Sequence, residues 1–126
     1  MSAVIVTDSG FTPDAWAGDW LDLAPDAEFQ ALCEGLAGIP AIRIDFPVFS
    51  DGRGFTLAAR LRRMGFAGRL RARGHLLADQ YAMARRAGFD EVELDPALAR
   101  RQPEAQWLAR ADWQAHDYRR RVGRRP

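Results

Sequence analysis

The feature that most constrains the fold of this chain is the alternation of strand-like and helix-like segments between Ile42 and Leu94. The strand-like segments are short, whereas in the helix-like segments the apolar residues recur at every third or fourth position. Strands that are separated by helices run parallel and are joined by right-handed crossovers. The pattern therefore predicts a βαβαβ unit. Its predicted strands are Ala41–Phe46, Arg69–Arg73 and Asp90–Leu94, and its predicted helices are Thr56–Met64 and Leu76–Ala87.

Both predicted helices end in the same way, which supports this division of the chain. Arg63–Phe66 reads Arg-Met-Gly-Phe, and Arg86–Phe89 reads Arg-Ala-Gly-Phe. A glycine followed by an apolar residue is typical of the Schellman motif, in which the glycine is left-handed. The predicted fold class is α/β, with a small parallel sheet of βα units arranged as a partial barrel or as a flavodoxin-like three-layer structure.

The segments before this unit are less regular. Ala3–Thr7 is a β-branched run followed by a turn signal, which predicts a strand in an N-terminal β-hairpin. Thr12 and Pro13 predict the start of a short helix. A further helix is predicted from Pro25 to Ala37, and Cys33 lies on its apolar stripe, where a core position is expected.

The C-terminal part is predicted to be helical. Asp95 and Pro96 have the pattern of a helix cap and first turn, Pro103 interrupts the helix, and Glu104–His116 continues it. At 126 residues the chain has the size of one domain. We therefore predict a single α/β domain over residues 1–118, with residues 119–126 as a flexible, arginine-rich tail.

Composition excludes several classes of chemistry. Cys33 is the only cysteine, so an internal disulfide, a CxxC redox pair and a four-thiolate cluster are excluded. The chain has no lysine, which excludes a Schiff base and a P-loop. His75 and His116 are isolated, so no metal site and no cofactor are predicted. No apolar run is long enough to span a membrane and the first residues lack the signal-peptide pattern, so a cytoplasmic protein is expected.

The charges are unevenly distributed along the chain. Residues 1–51 hold nine carboxylates and Arg43 as the one basic residue, whereas residues 52–126 hold eight carboxylates and seventeen arginines. Such polarity can mark a half that binds an anion or a partner, or it can place complementary charges across one folded surface. The arginine-rich tail lacks interleaved aromatic residues, so nucleic-acid binding is not predicted.

The candidate site is the Asp51–Gly54 loop, which follows the first predicted strand of the unit. In parallel α/β sheets, ligands bind at the carboxyl ends of the strands. Gly52 and Gly54 would allow a left-handed backbone and a close approach by a ligand, and Arg53 could bind an oxyanion through its guanidinium fork. Alternatively, the loop is a tight turn in which Arg53 pairs with Asp51 or Asp79.

Further candidates lie directly after the loop and near the end of the second strand. Phe55, which follows Gly54, and Arg71 of the second strand could complete an anion-binding site with the loop, and Gln80 could approach it from the next helix. Asp79 could orient an arginine or act as a general base, although an arginine–aspartate brace is the structural alternative. Asp51, Arg53 and Asp79 are thus the candidate catalytic residues. Gly52, Arg53, Gly54, Phe55, Arg71 and Gln80 are the candidate ligand-binding residues.

A set of short motifs resembles a bacterial family of unknown function whose members carry the description of an oxidoreductase connected with sulfite reduction. The resemblance spans about residues 44–94, in order and without gaps. It rests on Phe46-Pro47, Phe49, Asp51–Phe55 (Asp-Gly-Arg-Gly-Phe), Ala59–Leu61 (Ala-Arg-Leu), Leu70–Ala72 (Leu-Arg-Ala), Gly74, Asp79-Gln80 and Gly88–Asp90 (Gly-Phe-Asp).

This resemblance implies a role in assimilatory sulfate and sulfite reduction, beside sulfite reductase and the phosphoadenylyl-sulfate reductase. Because the chain carries no redox motif of its own, the expected role is that of an accessory protein that binds a small oxyanion or one of these reductases through the Asp51–Gly54 loop. Two alternatives remain open. One is a non-catalytic interaction module or homodimer, and the other is a stand-alone enzyme with its site at the strand ends.

Overall fold

The computed structural model of the protein describes residues 3–28 and 38–116. Within these ranges the fold is built on an open sheet of six strands in the order β2-β1-β6-β5-β4-β3. Strands β3 to β6 are parallel to one another, and β1 joins antiparallel to β6 and to β2. The strands are β1 (Val4–Thr7), β2 (Gly10–Pro13), β3 (Leu21–Leu23), β4 (Ala41–Phe46), β5 (Arg69–Gly74) and β6 (Glu91–Leu94).

The described residues form four α-helices and two 3₁₀ turns. The helices are α1 (Arg53–Arg63), α2 (Tyr81–Ala87), α3 (Pro96–Arg101) and α4 (Glu104–Leu108), and the 3₁₀ turns are Ala78–Gln80 and Trp113–His116. The α/β class, the mostly parallel sheet and the N-terminal hairpin are thereby confirmed. None of the described helices is long and apolar enough to cross a membrane.

Several element boundaries differ from the predictions. The predicted short helix at Thr12 is wrong, because these residues pair with β1 as strand β2. Strand β3 was missed, since Leu21–Leu23 is too short to show a pattern. The predicted helix over Glu104–His116 is divided, because α4 ends at Leu108 and only a 3₁₀ turn follows. The predicted helix that includes Cys33, and the arginine-rich tail, lie outside the described residues.

The predicted Schellman motifs are confirmed at the ends of α1 and α2. Gly65 has a φ of +106° and Gly88 has a φ of +114°. In each motif the N–H of the following phenylalanine donates to a carbonyl of the preceding turn, Phe66 to Leu61 and Phe89 to Ala84, both at 3.1 Å. These local bonds satisfy carbonyls that the helix leaves unpaired, which is why the two helix ends could be read from the sequence.

The two faces of the sheet differ in character. On one face, Ile42, Ile44 and Phe46 of β4 belong to an apolar core to which all four described helices contribute. Because successive strand residues point to opposite faces, Arg43 and Asp45 lie on the other face. There the sheet carries arginines and carboxylates, and the segment over residues 14–20 covers part of it. We call these the helical face and the charged face.

Candidate functional site

The predicted site loop lies between β4 and α1, at the carboxyl edge of the parallel strands. Asp51 accepts hydrogen bonds from the backbone N–H of Arg53 at 3.1 Å and from its Nε and Nη2 at 2.9 and 2.7 Å. The hydrogen bonds from Arg53 lower the pKa of Asp51 below its usual value. The guanidinium fork of Arg53 is therefore bound to Asp51 within the same turn, as in the structural alternative of the sequence analysis.

The two glycines of the loop do not have the role expected of them. Neither has a positive φ, and Gly52 has a φ of −82°. A Cβ added to Gly54 would lie 2.4 Å from Cζ of Phe46, so this glycine allows α1 to pack closely on β4. Phe55 is buried and its ring lies 5.0 Å from that of Phe46. Gly54 and Phe55 thus contribute to the core beneath the loop.

Among the described residues, Gln80 is the one further candidate that forms a hydrogen bond with this loop. Its Nε2 donates to the carbonyl of Phe49 at 2.8 Å, and its Oε1 accepts from the backbone N–H of Leu77 at 2.8 Å. A second bond within the loop runs from the N–H of Asp51 to the carbonyl of Val48 at 3.1 Å. The loop is therefore held in place from both sides.

Asp79 is directed away from the loop. It pairs with Arg110, whose Nη2 lies 2.9 Å from Oδ1, and its side chain is 78% exposed. The structure thus shows an arginine–aspartate brace, with Arg110 as the partner. His75 is also exposed and contacts β4 through its backbone N–H, which donates to the carbonyl of Phe46 at 2.9 Å.

Arg71 does not join the loop either, because it lies on the charged face. Its side chain is 1% exposed and its guanidinium contacts three carboxylates. Nη2 lies 2.5 Å from Glu91, and Nη1 donates to Glu93 at 2.8 Å and to Asp14 at 3.0 Å. Trp20 covers the guanidinium, whose Cζ lies 4.3 Å from the ring centroid.

The charge state of Arg71 follows from these contacts. Burial would lower its pKa, but hydrogen bonds to Asp14 and Glu93 and the charge of Glu91 outweigh burial and hold the pKa above its ordinary value. A buried arginine whose fork is filled by carboxylates of its own chain is a poor candidate for binding an external oxyanion. The expected group of Arg53, Arg71 and Asp79 around one loop is therefore not formed.

A small hollow of about 290 Å³ lies at the carboxyl end of the charged face. Its lining includes Arg73, but also three carboxylates, Asp45, Glu93 and Asp95. This excess of negative charge disfavours an oxyanion. No group of three or more metal-ligating side chains occurs within the part of the chain that the structure describes.

The sequence analysis did not identify the exposed apolar surface of this edge. Val48 and Phe49 are 51% and 53% exposed at the tip of the loop, and Leu77 and Met83 are further exposed apolar side chains on the segments that adjoin it. We call Val48, Phe49 and Leu77 the apolar edge. The sequence did indicate this surface. Two apolar residues lie between Pro47 and the Ser50–Gly52 turn, and they do not fit the apolar spacing of a helix or a strand.

Comparison with known proteins identifies a family over most of the chain. Residues 21–126 match the family described as "Bacterial protein of unknown function (DUF934)". No curated protein and no solved structure matches the chain.

Proposed function

We propose that this protein, which belongs to that bacterial family of unknown function, is an accessory protein of assimilatory sulfate and sulfite reduction in the cytoplasm. Its proposed partner is a reductase of that pathway, either sulfite reductase or the phosphoadenylyl-sulfate reductase. The pathway is suggested by the motif resemblance over residues 44–94. Docking through the apolar edge is supported by the geometry of the loop.

The observation that carries the proposal is the exposure of Val48 and Phe49 in an anchored loop. Apolar side chains exposed together are typical of binding surfaces, and aromatic side chains often contribute most to binding free energy. Gln80 holds the carbonyl of Phe49, and Asp51 holds that of Val48. Because the loop is already ordered, burying these side chains against a partner would cost little conformational entropy.

The oxyanion function receives less support from the same contacts. An oxyanion at the loop would have to displace Asp51 from Arg53, with which it forms two side-chain hydrogen bonds. At Arg71 it would have to displace carboxylates in a buried site. A catalytic role of Asp51, Arg53 and Asp79 would require these side chains to act together, but Asp79 pairs with Arg110.

Binding measurements with the two purified reductases test the proposal. The native protein should bind one of them, and Phe49→Ser should weaken binding by roughly 10-fold or more, as expected for loss of a central aromatic contact. Leu108→Ser is the matched control, because Leu108 is also exposed but lies on α4. This control should bind with native affinity, and both variants should keep the native melting temperature.

Two results would contradict the proposal. One is the absence of binding to either reductase, and the other is native affinity of the Phe49→Ser variant. Light scattering at high protein concentration should show a monomer. A dimer that Phe49→Ser dissociates would assign the apolar edge to self-association instead. Stabilisation by sulfite or sulfate that is lost in Arg53→Ala would favour the oxyanion function.

A further inference from the structure

Three of the four described helices of the helical face carry charges of one sign. Helices α1, α2 and α3 contain no aspartate or glutamate, although carboxylates make up about half of the charged residues of the chain. Helix α4 contains one carboxylate, Glu104, which accepts a hydrogen bond from the N–H of Phe11. The arginines of the first three helices are Arg53, Arg60, Arg62, Arg63, Arg85, Arg86, Arg100 and Arg101.

Two of these arginines have structural roles at the helix ends. Arg62 donates to the carbonyls of Gly88, Phe66 and Gly68, each at 2.9 Å. Arg85 donates to the carbonyl of Phe89 and pairs with Asp8. Both side chains are partly buried, and these contacts account for their presence.

The remaining arginines are all exposed. Arg53 pairs with Asp51, and Arg60 also interacts with a neighbour, so neither is counted here as an unneutralised charge. Arg63, Arg100 and Arg101 form no ion pair with any residue that the structure describes. Arg86 donates weakly to the carbonyl of Trp113 at 3.4 Å, which leaves its charge unneutralised.

Composition alone does not account for this surface. On the charged face of the same sheet, Arg43, Arg69 and Arg71 each contact a carboxylate. Three arginines of the helical face also pair with carboxylates of neighbouring segments, Arg53 with Asp51, Arg62 with Asp90 and Arg85 with Asp8. Four exposed arginines of the helices form no ion pair with a described residue, and these are Arg63, Arg86, Arg100 and Arg101. Exposed arginines without carboxylate partners are typical of sites that attract a negatively charged partner.

The basic surface is continuous with the apolar edge. Helix α1 begins directly after the loop, and its exposed arginines recur along one side of the helix at seven- and three-residue spacing, at Arg53, Arg60 and Arg63. Helix α3 is attached at the other end, where the side chain of Gln102 binds the N–H of Ala78 and the carbonyl of Leu76. The apolar side chains therefore stand between two groups of arginines.

We propose that the exposed arginines of α1, α2 and α3 and the apolar edge together form a docking surface for an acidic protein surface with an apolar centre. This inference rests on the proposed function and adds the chemistry of the partner. Phosphates of nucleic acid would also suit the arginines, but Phe49 is the one ring of the apolar edge on which a base could stack, since Val48 and Leu77 are aliphatic. Aliphatic side chains beside arginines fit a protein interface, with its apolar core and charged rim.

A peptide assay tests this chemistry without a natural partner. The probes are a labelled peptide of glutamates interspersed with Leu and Phe, the same peptide with glutamine in place of glutamate, and a single-stranded DNA. Fluorescence anisotropy should show binding of the acidic peptide, weakened several-fold between 50 and 300 mM salt. The glutamine peptide and the DNA should bind at least about 10-fold more weakly.

The test variant is Arg100→Gln/Arg101→Gln, and the control is Ser9→Glu/Thr12→Glu. Both lower the net charge by two, but Ser9 and Thr12 are exposed on the hairpin, at the far edge of the sheet from α1. The test variant should bind the acidic peptide about 5-fold more weakly and with a smaller salt dependence. The control should retain most of the native affinity, since only long-range charge effects remain.

Each contrary outcome has a distinct meaning. Equal binding of the acidic and glutamine peptides, equal loss in both variants, or tighter binding of the DNA would overturn the inference. So would a salt-sensitive dimer that Arg100→Gln/Arg101→Gln dissociates, because the acidic surface would then belong to a second copy. If the acidic peptide binds as expected but neither reductase does, the inference of an acidic partner is supported and the sulfur-pathway proposal fails.

Discussion

The two faces of the sheet both carry many arginines, but they use them in opposite ways. On the charged face Arg71 is buried and contacts three carboxylates, and Arg43 pairs with Asp22 and Glu93. On the helical face α1, α2 and α3 carry arginines but no acids, and Arg63, Arg100 and Arg101 form no ion pair with a described residue. The comparison shows that the strand arginines of the charged face are neutralised by carboxylates, whereas part of the helical face keeps an uncompensated positive charge.

The charged face is unusual for parallel strands, whose two faces are commonly both apolar and covered by helices. It is tolerated because each arginine of β4 and β5 has a carboxylate beside it, and Glu93 binds both Arg43 and Arg71, which are register partners. Trp20 adds a ring over Arg71 and Arg43, at 4.3 and 5.2 Å from the two guanidinium carbons. One row of register partners is Asp22, Arg43, Arg71 and Glu91.

The largest expected effect separates the two classes of arginine. Arg71→Met keeps much of the side-chain volume but leaves Glu91 buried without its main partner, so the free energy of unfolding should fall by about 3–5 kcal/mol. Arg63→Met is the matched control, and it should change stability by no more than about 0.5 kcal/mol. Urea denaturation measures both. Similar losses in the two variants would remove the distinction between the faces.

The next effect shows that the helical face depends on close packing beneath its arginines. Gly54→Ala would place a Cβ 2.4 Å from the ring of Phe46, and overpacking of this kind costs about 1–3 kcal/mol. Gly52→Ala is the control, because no atom lies within 4 Å of its added Cβ and its φ is negative. It should be neutral or slightly stabilising. A loss in Gly52→Ala equal to that in Gly54→Ala would contradict this explanation.

The smallest effect is the pH dependence of the charged face. The hydrogen bond from Arg71 lowers the pKa of Asp14, and that from Arg43 lowers the pKa of Asp22. A carboxyl whose pKa is lower in the folded state contributes stability above its unfolded pKa of about 3.9, and this stability is lost as the pH falls through the folded value. The free energy of unfolding should therefore decrease below about pH 4.

Asp14→Asn tests this dependence. The variant should be less stable than the native protein at pH 7, and the difference should shrink as the pH falls towards 2. Asp51→Asn provides the comparison. Because Arg53, the partner of Asp51, is exposed, 1 M salt should screen this ion pair and reduce its effect on stability. A native pH profile in Asp14→Asn would show that its contact with Arg71 does not contribute to stability.

Much of the fold followed from the sequence because it depends on neighbours along the chain. The βαβαβ unit between residues 42 and 94 rests on periodicity, and the two helix ends rest on glycines that can adopt a positive φ. Asp95 was likewise identified as a helix cap, and its side chain accepts the N–H of Leu98 at 2.8 Å. These features are local, so a single sequence shows them.

The site was only partly predictable. The position of the Asp51–Gly54 loop at the carboxyl edge followed from the order of strands and helices, but the partners of its neighbours did not. The alternation Arg-Leu-Arg-Ala-Arg over residues 69–73 does indicate that Arg69, Arg71 and Arg73 share a polar face opposite Leu70 and Ala72. This alternation therefore predicts that Arg71 lies on the charged face and does not join the loop.

The sequence by itself determined the chain's α/β order, its helix ends and the place of the loop, since these depend on backbone preferences and on contacts within a few residues. Only the tertiary structure decided that Asp14 reaches Arg71, fifty-seven residues away, and that Asp79 turns to Arg110. It also left Val48 and Phe49 exposed beside the arginines of the helical face. Such pairings depend on which distant segments become neighbours in the folded chain, and the residues near each partner in the sequence do not determine this.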